Sequence, residues 1–135
     1  MATKGEGIDE LLQRAKGLDL ERWATIYGEP EATLASRYLR ARKGKVADAL
    51  AMLEADLKWR QTENLETITS RSVKEITGLD ESIMQRYLPT WSQGYDKSGR
   101  PVIYTAYGNL EVDTLIKKGT TVEKLLLMHI HHLER

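Results

Sequence analysis

The chain has 135 residues, which is enough for one compact domain with its own hydrophobic core. Hydrophobic residues make up 41% of the chain and charged residues 30%, a balance typical of folded proteins rather than disordered ones. Because 20 Lys and Arg balance 20 Asp and Glu, no overall positive field is available to bind a nucleic-acid backbone. We therefore expect no nucleic-acid partner.

Cysteine is absent, which excludes disulfides, thiolate metal sites and cysteine nucleophiles. The polar N-terminus lacks the apolar stretch of a signal peptide. No apolar run approaches the roughly 18 residues of a membrane-spanning helix. These features predict a cytoplasmic protein that contacts membranes only transiently, at their surface.

The first half of the chain shows the apolar periodicity of amphipathic helices. One short helix is predicted over 8–17 and a second over 18–27. A third begins at Pro30, whose fixed φ suits a first helical turn, and ends at Gly44, which tolerates a left-handed backbone. The clearest helix follows over 46–60. Because the turn around Gly44 is short, these helices must pack together as a small bundle.

Helix signals continue up to a proline. Ser72 with Glu75 forms a capping box, which predicts a helix that stops near Gly78. Asp80 predicts the cap of a further short helix, and Pro89 forbids its continuation. The helical part is therefore expected to end near Pro89.

After Pro89 the pattern becomes strand-like. The turn tetrad at 96–99 and the β-branched and aromatic residues at 102–107 predict a hairpin. We therefore divide the chain into a helical module, residues 1–89, and the beginning of a second domain, residues 90–135.

Two more helices are predicted after the hairpin. A short one over 110–118 is closed by Gly119, and Thr120 with Glu123 forms a capping box for the last helix. One side of that helix carries Val122, Leu125, Leu126, His129 and Leu133. A two-stranded hairpin is only marginally stable, so we expect this domain to continue into further chain.

Five cations lie within nine residues at the end of the third predicted helix: Arg37, Arg40, Arg42, Lys43 and Lys45. The pattern alone favours a solvated face with cations well placed at a helix C-terminus. The alternative is an anion site, because Arg offers phosphate a forked pair of donors and Lys a point charge. The adjacent Arg42 and Lys43 are the candidates for such a site.

No catalytic or metal site is predicted. His129 and His132 lie three residues apart, near His131, but they have no carboxylate or thiolate partner. We interpret His129, which falls on the apolar stripe, as partly buried packing. No nucleotide-binding loop, nucleophile elbow or catalytic carboxylate pair is present, so we expect a non-enzyme without a cofactor.

Two consecutive segments carry a family resemblance. Residues 36–43, SRYLRARK, and 46–60, VADALAMLEADLKWR, resemble the N-terminal signature of CRAL-TRIO proteins, the Sec-fourteen-like phosphatidylinositol and lipid transfer proteins. The similarity continues through 87–89, YLP, and 96–102, DKSGRPV. It implies an α/β protein: an N-terminal α-helical bundle of the CRAL-TRIO type, then the first hairpin and helix of an incomplete α/β lipid-binding domain.

The resemblance also implies a function, the transfer of phosphatidylinositol or a related hydrophobic ligand between membranes. It associates Arg42 and Lys43 with the phosphoinositol headgroup. Lys45 stands where an acidic helix cap is common, and Ser92 and Ile103 stand where tyrosines linked to choline lipids tend to occur. These differences argue against phosphatidylcholine and leave a sterol or tocopherol-like ligand as alternatives to a phosphoinositide. We expect the 135 residues alone to hold lipid weakly or not at all.

A different class of function stays open at this stage. The helical module could be a protein-interaction or regulatory module without its own ligand, and the edge strand at 102–107 could pair with another chain.

Overall fold

The structure is a computed structural model that describes residues 4–134, and they form two compact units that divide between Glu66 and Thr67. The first unit is helical, and the second combines short helices with a two-stranded antiparallel sheet. The predicted fold class, a helical bundle followed by a hairpin and a helix, is confirmed. Within 4–134, no helix is long and apolar enough to cross a membrane.

The two compact units do not divide at Pro89, because a short helix that precedes this proline packs on the last helix of the chain. The boundary at Pro89 was inferred from the change in sequence pattern. As the start of the lipid-binding domain it stays a prediction.

Four helices build the first unit: α1 (Lys4–Arg14), α2 (Leu20–Tyr27), α3 (Glu31–Ala41) and α4 (Val46–Thr62). Small residues let α1, α3 and α4 approach closely. Ala35 and Ala49 are fully buried beside Leu11 and Leu39. At Gly7, an added Cβ would lie 3.0 Å from a methyl carbon of Leu39, so a larger residue would press on this core. The bundle core therefore lies where three helices meet.

A polar network joins α2, α3 and α4 beside this core. The Tyr38 hydroxyl donates to the Asp56 carboxylate at 2.6 Å, and Arg60 Nε donates to the same carboxylate at 2.9 Å. The Arg60 guanidinium also donates to the Tyr27 hydroxyl and lies 4.9 Å from the ring centroid of Trp23. Burial, followed by the hydrogen bond and the charge of Asp56, raises the pKa of Tyr38 above its ordinary value. The network fixes α3. This helix ends in the five cations of residues 37–45, which we call the basic cluster.

The second unit consists of short elements in the order helix, hairpin, helix. They are α5 (Val73–Thr77), α6 (Glu81–Tyr87), β1 (Thr90–Tyr95), β2 (Pro101–Thr105), α7 (Val112–Lys117) and α8 (Val122–Glu134). Short 3-10 helices cover Leu65–Ser70 and Tyr107–Asn109, and neither was predicted. The predicted helices and the hairpin agree with these bounds to within a few residues.

The capping box of α5 has both of its predicted hydrogen bonds. The Glu75 backbone N–H donates to Ser72 Oγ at 3.3 Å, and the Ser72 backbone N–H donates to the Glu75 carboxylate at 2.6 Å. The Ser72 hydroxyl, and then the Ser72 backbone N–H, lower the pKa of Glu75.

The predicted capping box of α8 is wrong by one residue. Thr121, not Thr120, caps the helix: the Lys124 backbone N–H donates to Thr121 Oγ1 at 3.3 Å, and the Leu125 N–H donates to the Thr121 carbonyl at 3.0 Å. The backbone N–H of Glu123, and then the Thr121 hydroxyl, lower the pKa of the Glu123 carboxyl. Thr120 is buried, with 3% of its surface exposed, and does not cap the helix.

We expect Asp56→Ala to lower the free energy of unfolding by about 2 kcal/mol, because Arg60 and Tyr38 lose their shared acceptor. Asp48→Ala is the matched control, since Asp48 pairs with Lys45 at 3.9 Å on the surface. Its loss should cost less than about 0.5 kcal/mol. Urea unfolding followed by far-ultraviolet circular dichroism measures both, and equal losses would contradict a structural role for the network.

Candidate functional site

A cavity of about 560 Å³ lies in the second unit, between the hairpin and helix α8. Its walls are mostly apolar. The strands and α8 contribute, among others, Thr90, Ile103, Thr105, Val122, Leu126 and Leu133. A cavity of this size with apolar walls and few polar groups suits a hydrophobic small molecule.

One face of the hairpin lines the cavity because of its register. Thr90 lies opposite Thr105, and Ser92 lies opposite Ile103. Successive residues of a strand point to opposite faces, so these two cross-strand pairs share the cavity side. Ser92 and Ile103, the two positions where the chain departs from the tyrosines of the family pattern, are therefore direct cross-strand neighbours.

Helix α8 forms the other wall. Its buried residues, Met128 and His131, belong to the side that packs towards α5. The apolar side of α8 that the sequence predicts is a different side of the helix, and it lines the cavity. Its side chains are not covered, since Leu126 is 60% exposed. The interpretation of His129 as partly buried is wrong, because His129 is exposed and His131 is the buried histidine. Periodicity found the apolar side of α8 but could not show that this side lacks a packing partner.

The basic cluster lies in the first unit, at the end of α3. Two of its five cations are neutralised: Arg37 pairs with Glu29 at 2.6 Å, and Lys45 pairs with Asp48 at 3.9 Å. Three cations form no ion pair with any residue in the range 4–134: Arg40, Arg42 and Lys43. Their side chains are exposed, so they are available to an anion from solution.

The backbone at Arg42 and Lys43 turns sharply out of α3. The Arg42 N–H donates to the Tyr38 carbonyl at 3.1 Å, and the Gly44 N–H reaches back to the Leu39 carbonyl at 2.9 Å. Lys43 has a φ of 53° and Gly44 a φ of 81°. A left-handed backbone costs a residue with a Cβ about 1–2 kcal/mol, so Lys43 is held in a strained conformation. Strain of this kind is often found at functional sites.

The structure thus brings Arg42 and Lys43 together on one exposed turn. Their assignment to a lipid headgroup stays a prediction. The cavity walls were missed by sequence reasoning, although their signal was present in the stripe of α8 and in the alternation of β2.

Histidines supply no metal site in the described part of the chain. The ring centroids of His131 and His132 are 5.8 Å apart, at an interplanar angle of 57°. No group of three or more His, Asp or Glu among residues 4–134 is placed to hold a metal ion.

Residues 7–55 match the family described as the CRAL/TRIO N-terminal domain. Patellin-6 of Arabidopsis thaliana is 40% identical over 105 residues, which are 73% of this chain and 24% of that protein. The phosphatidylinositol/phosphatidylcholine transfer protein SFH9 of the same plant is 31% identical over 99 residues, 73% of this chain and 16% of the relative.

A fungal relative gives a similar result. The SEC14 cytosolic factor of Eremothecium gossypii is 36% identical over 90 residues, 67% of this chain and 28% of that protein. The chain spans 16% to 28% of the length of these three relatives.

We expect Lys43→Gly to raise the free energy of unfolding by about 0.5 kcal/mol. Glycine removes the strain energy of the left-handed backbone. This gain exceeds the entropic cost of ordering a more flexible glycine on folding. Asn64→Gly is the control, because Asn64 has a φ of 51° and lies outside the basic cluster. Since Asn tolerates this conformation better, its gain should be smaller. Thermal unfolding compares the two, and a loss of stability in Lys43→Gly would contradict the assigned strain.

Proposed function

We propose, because this chain belongs to the CRAL-TRIO family, that it takes part in binding a lipid and transferring it between membranes. The observation that carries the proposal is the apolar cavity of about 560 Å³ between the hairpin and α8. Sequestration of a hydrophobic molecule needs no bond to be broken. We therefore propose a carrier rather than an enzyme, without a cofactor.

The names of the relatives support this direction. SFH9 is named as a phosphatidylinositol and phosphatidylcholine transfer protein, and the fungal relative as a cytosolic factor. For this chain we propose a phospholipid ligand, a cytoplasmic location and a transient contact with membrane surfaces.

The apolar part of the ligand would occupy the cavity. Each methylene that leaves water contributes about 0.8 kcal/mol, so a buried acyl chain can supply most of the binding free energy. In this chain the cavity is open, since Val122 and Leu133 in its walls are 49% and 69% exposed. An open cavity leaves part of an acyl chain in water, which fits the expectation that the chain alone holds lipid weakly.

The headgroup would be selected by positive charge. Arg42 and Lys43 are exposed, form no ion pair within residues 4–134, and are the cations that the resemblance associates with the phosphoinositol group. The left-handed turn presents both at the end of α3. Hydrogen bonds between a guanidinium or ammonium group and phosphate are short and strong. A phosphoinositide is therefore the proposed ligand.

We expect lipid to be carried by a chimera in which this chain is continued with the corresponding remainder of Patellin-6. Lipid extraction and mass spectrometry of the purified chimera detect the cargo. Leu126→Glu should reduce the cargo by about tenfold, because it replaces an apolar side chain of the cavity wall with a carboxylate that an acyl chain cannot pack against. Ile116→Glu is the control, since Ile116 is 41% exposed and does not line the cavity. A parent chimera without lipid would contradict the carrier function.

In the same chimera, Arg42→Ala with Lys43→Ala should lower the transfer of phosphatidylinositol phosphates between vesicles by at least about tenfold. The loss of one charge-assisted hydrogen bond of about 1.5 kcal/mol already accounts for a tenfold decrease. Arg37→Ala with Lys45→Ala removes two cations of the same cluster that are already ion-paired, and it should have little effect. An equal loss of transfer for every lipid class would contradict headgroup recognition by Arg42 and Lys43.

A further inference from the structure

The hairpin exposes two aromatic rings on the face opposite the cavity. Trp91 lies opposite Tyr104 in the ladder, and their rings stack with centroids 5.6 Å apart at an interplanar angle of 17°. Trp91 is 47% exposed and Tyr104 is 49% exposed, whereas the adjacent Ile103 lines the cavity on the other face. The folded chain thus leaves a stacked pair of large aromatic rings half in water.

The turn of the hairpin adds unneutralised positive charge. Lys97 and Arg100 are exposed and form no ion pair within the described range. The nearby Asp96 uses one carboxylate oxygen to accept the backbone N–H groups of Ser98 at 2.8 Å and Arg100 at 2.9 Å. The turn therefore carries two cations against one carboxylate, and that carboxylate is engaged by the backbone.

This combination has the chemistry of a membrane-surface contact. Trp and Tyr have an apolar body and a polar edge, and they are enriched where lipid headgroups meet acyl chains. Lys and Arg beside them are attracted to anionic lipids. We propose that the hairpin docks on an anionic lipid surface through Trp91 and Tyr104, with Lys97 and Arg100 against the headgroups.

Charge complementarity decides for lipid over a second copy of the chain. Another copy would bring the same two unpaired cations to the contact, whereas a surface that contains phosphatidylserine supplies the opposite charge.

The docking surface deepens the proposed function and rests on it. A carrier has to contact a membrane surface to exchange its lipid, and the Tyr104 face of the hairpin would supply that contact while the cavity lies on the Ile103 face.

The test measures how the intact chain partitions onto vesicles of phosphatidylcholine with phosphatidylserine and onto vesicles of phosphatidylcholine alone. We expect binding to the first kind only, and a loss of about tenfold in Trp91→Ala, because the half-exposed ring no longer enters the interface. Trp59→Ala is the matched control, since Trp59 is 40% exposed on α4, and its binding should be unchanged. Equal losses in the two variants would overturn the proposal.

A second pair of variants tests whether binding to anionic vesicles requires the charges of Lys97 and Arg100. Lys97→Gln with Arg100→Gln should lower partitioning by about tenfold or more, since each cation near an anionic surface contributes about 1 kcal/mol. Lys16→Gln with Lys58→Gln changes the net charge equally at exposed positions elsewhere and should retain binding. Equal binding to both kinds of vesicle would overturn the electrostatic part of the contact.

A spectroscopic readout covers the case in which Trp91→Ala fails to fold. Brominated lipids should quench the tryptophan fluorescence of the unsubstituted chain, and Trp91→Phe, which keeps a ring against Tyr104, should remove the quenched component. Trp59→Phe should leave it in place. Sedimentation velocity adds the competing outcome: self-association that Trp91→Ala abolishes, without vesicle binding, would assign the face to a second copy.

The two proposals fail in different ways. A chimera that carries lipid while Trp91→Ala leaves vesicle binding intact would refute the docking surface alone. A chain that docks through Trp91 while the chimera carries no lipid would refute the carrier function.

Discussion

In the described part of the chain, helix α8 has apolar side chains on more than one side and packs mainly on α5. The side that carries Met128 packs with α5 and holds the second unit together. The side that carries Val122 and Leu126 stays open and becomes a cavity wall. The proposed lipid cavity depends on this difference between the two sides of α8. The hairpin encloses an apolar volume because α8 faces it with side chains that are not buried.

The first unit meets a different constraint. Its helices approach closely through Ala35 and Ala49, and the network of Tyr38, Asp56 and Arg60 adds directional contacts between them. Such a network tolerates few alternative arrangements because each partner needs the others. The end of α3 is thereby held in place, and the strained turn at Lys43 can persist.

The Lys-Trp-Arg end of α4 illustrates what a sequence motif can mean physically. Arg60 is mostly buried, bonds to Asp56 and Tyr27, and contacts the ring of Trp23. These contacts explain why the bundle needs an arginine at this position. Trp59, by contrast, is 40% exposed, and the described residues give it no ring contact, ion pair or side-chain hydrogen bond of this kind. Part of the family signature is therefore a structural requirement of the bundle rather than a binding site.

Sequence reasoning succeeded where a local rule has one answer. Gly44 ends α3 because a left-handed residue is needed there, and the tetrad that begins at Asp96 turns the hairpin because its carboxylate can accept two backbone N–H groups. Periodicity likewise identified the four helices of the first unit. These features depend on neighbours in sequence, so the sequence suffices to predict them.

It failed where the answer depends on distant residues. Thr120 has a Glu three residues later, as a capping box requires, and Thr121 does not, yet Thr120 is buried and Thr121 caps the helix. His129 and His131 differ by which side of α8 meets α5. The 3-10 helix with buried Leu65 and Ile68 has six residues, too few to establish a period. Tertiary contact is the missing information in each case.

Affinity and selectivity would have separate physical origins in this protein. Burial of about a dozen methylenes contributes about 10 kcal/mol, whereas one or two charge-assisted hydrogen bonds to a phosphate contribute about 1.5–3 kcal/mol each. The cavity would therefore set how tightly any lipid is held, and the turn at Arg42 and Lys43 would set which headgroup is preferred. It follows that changes in the basic cluster should alter the ranking of lipids more than the total amount of lipid bound.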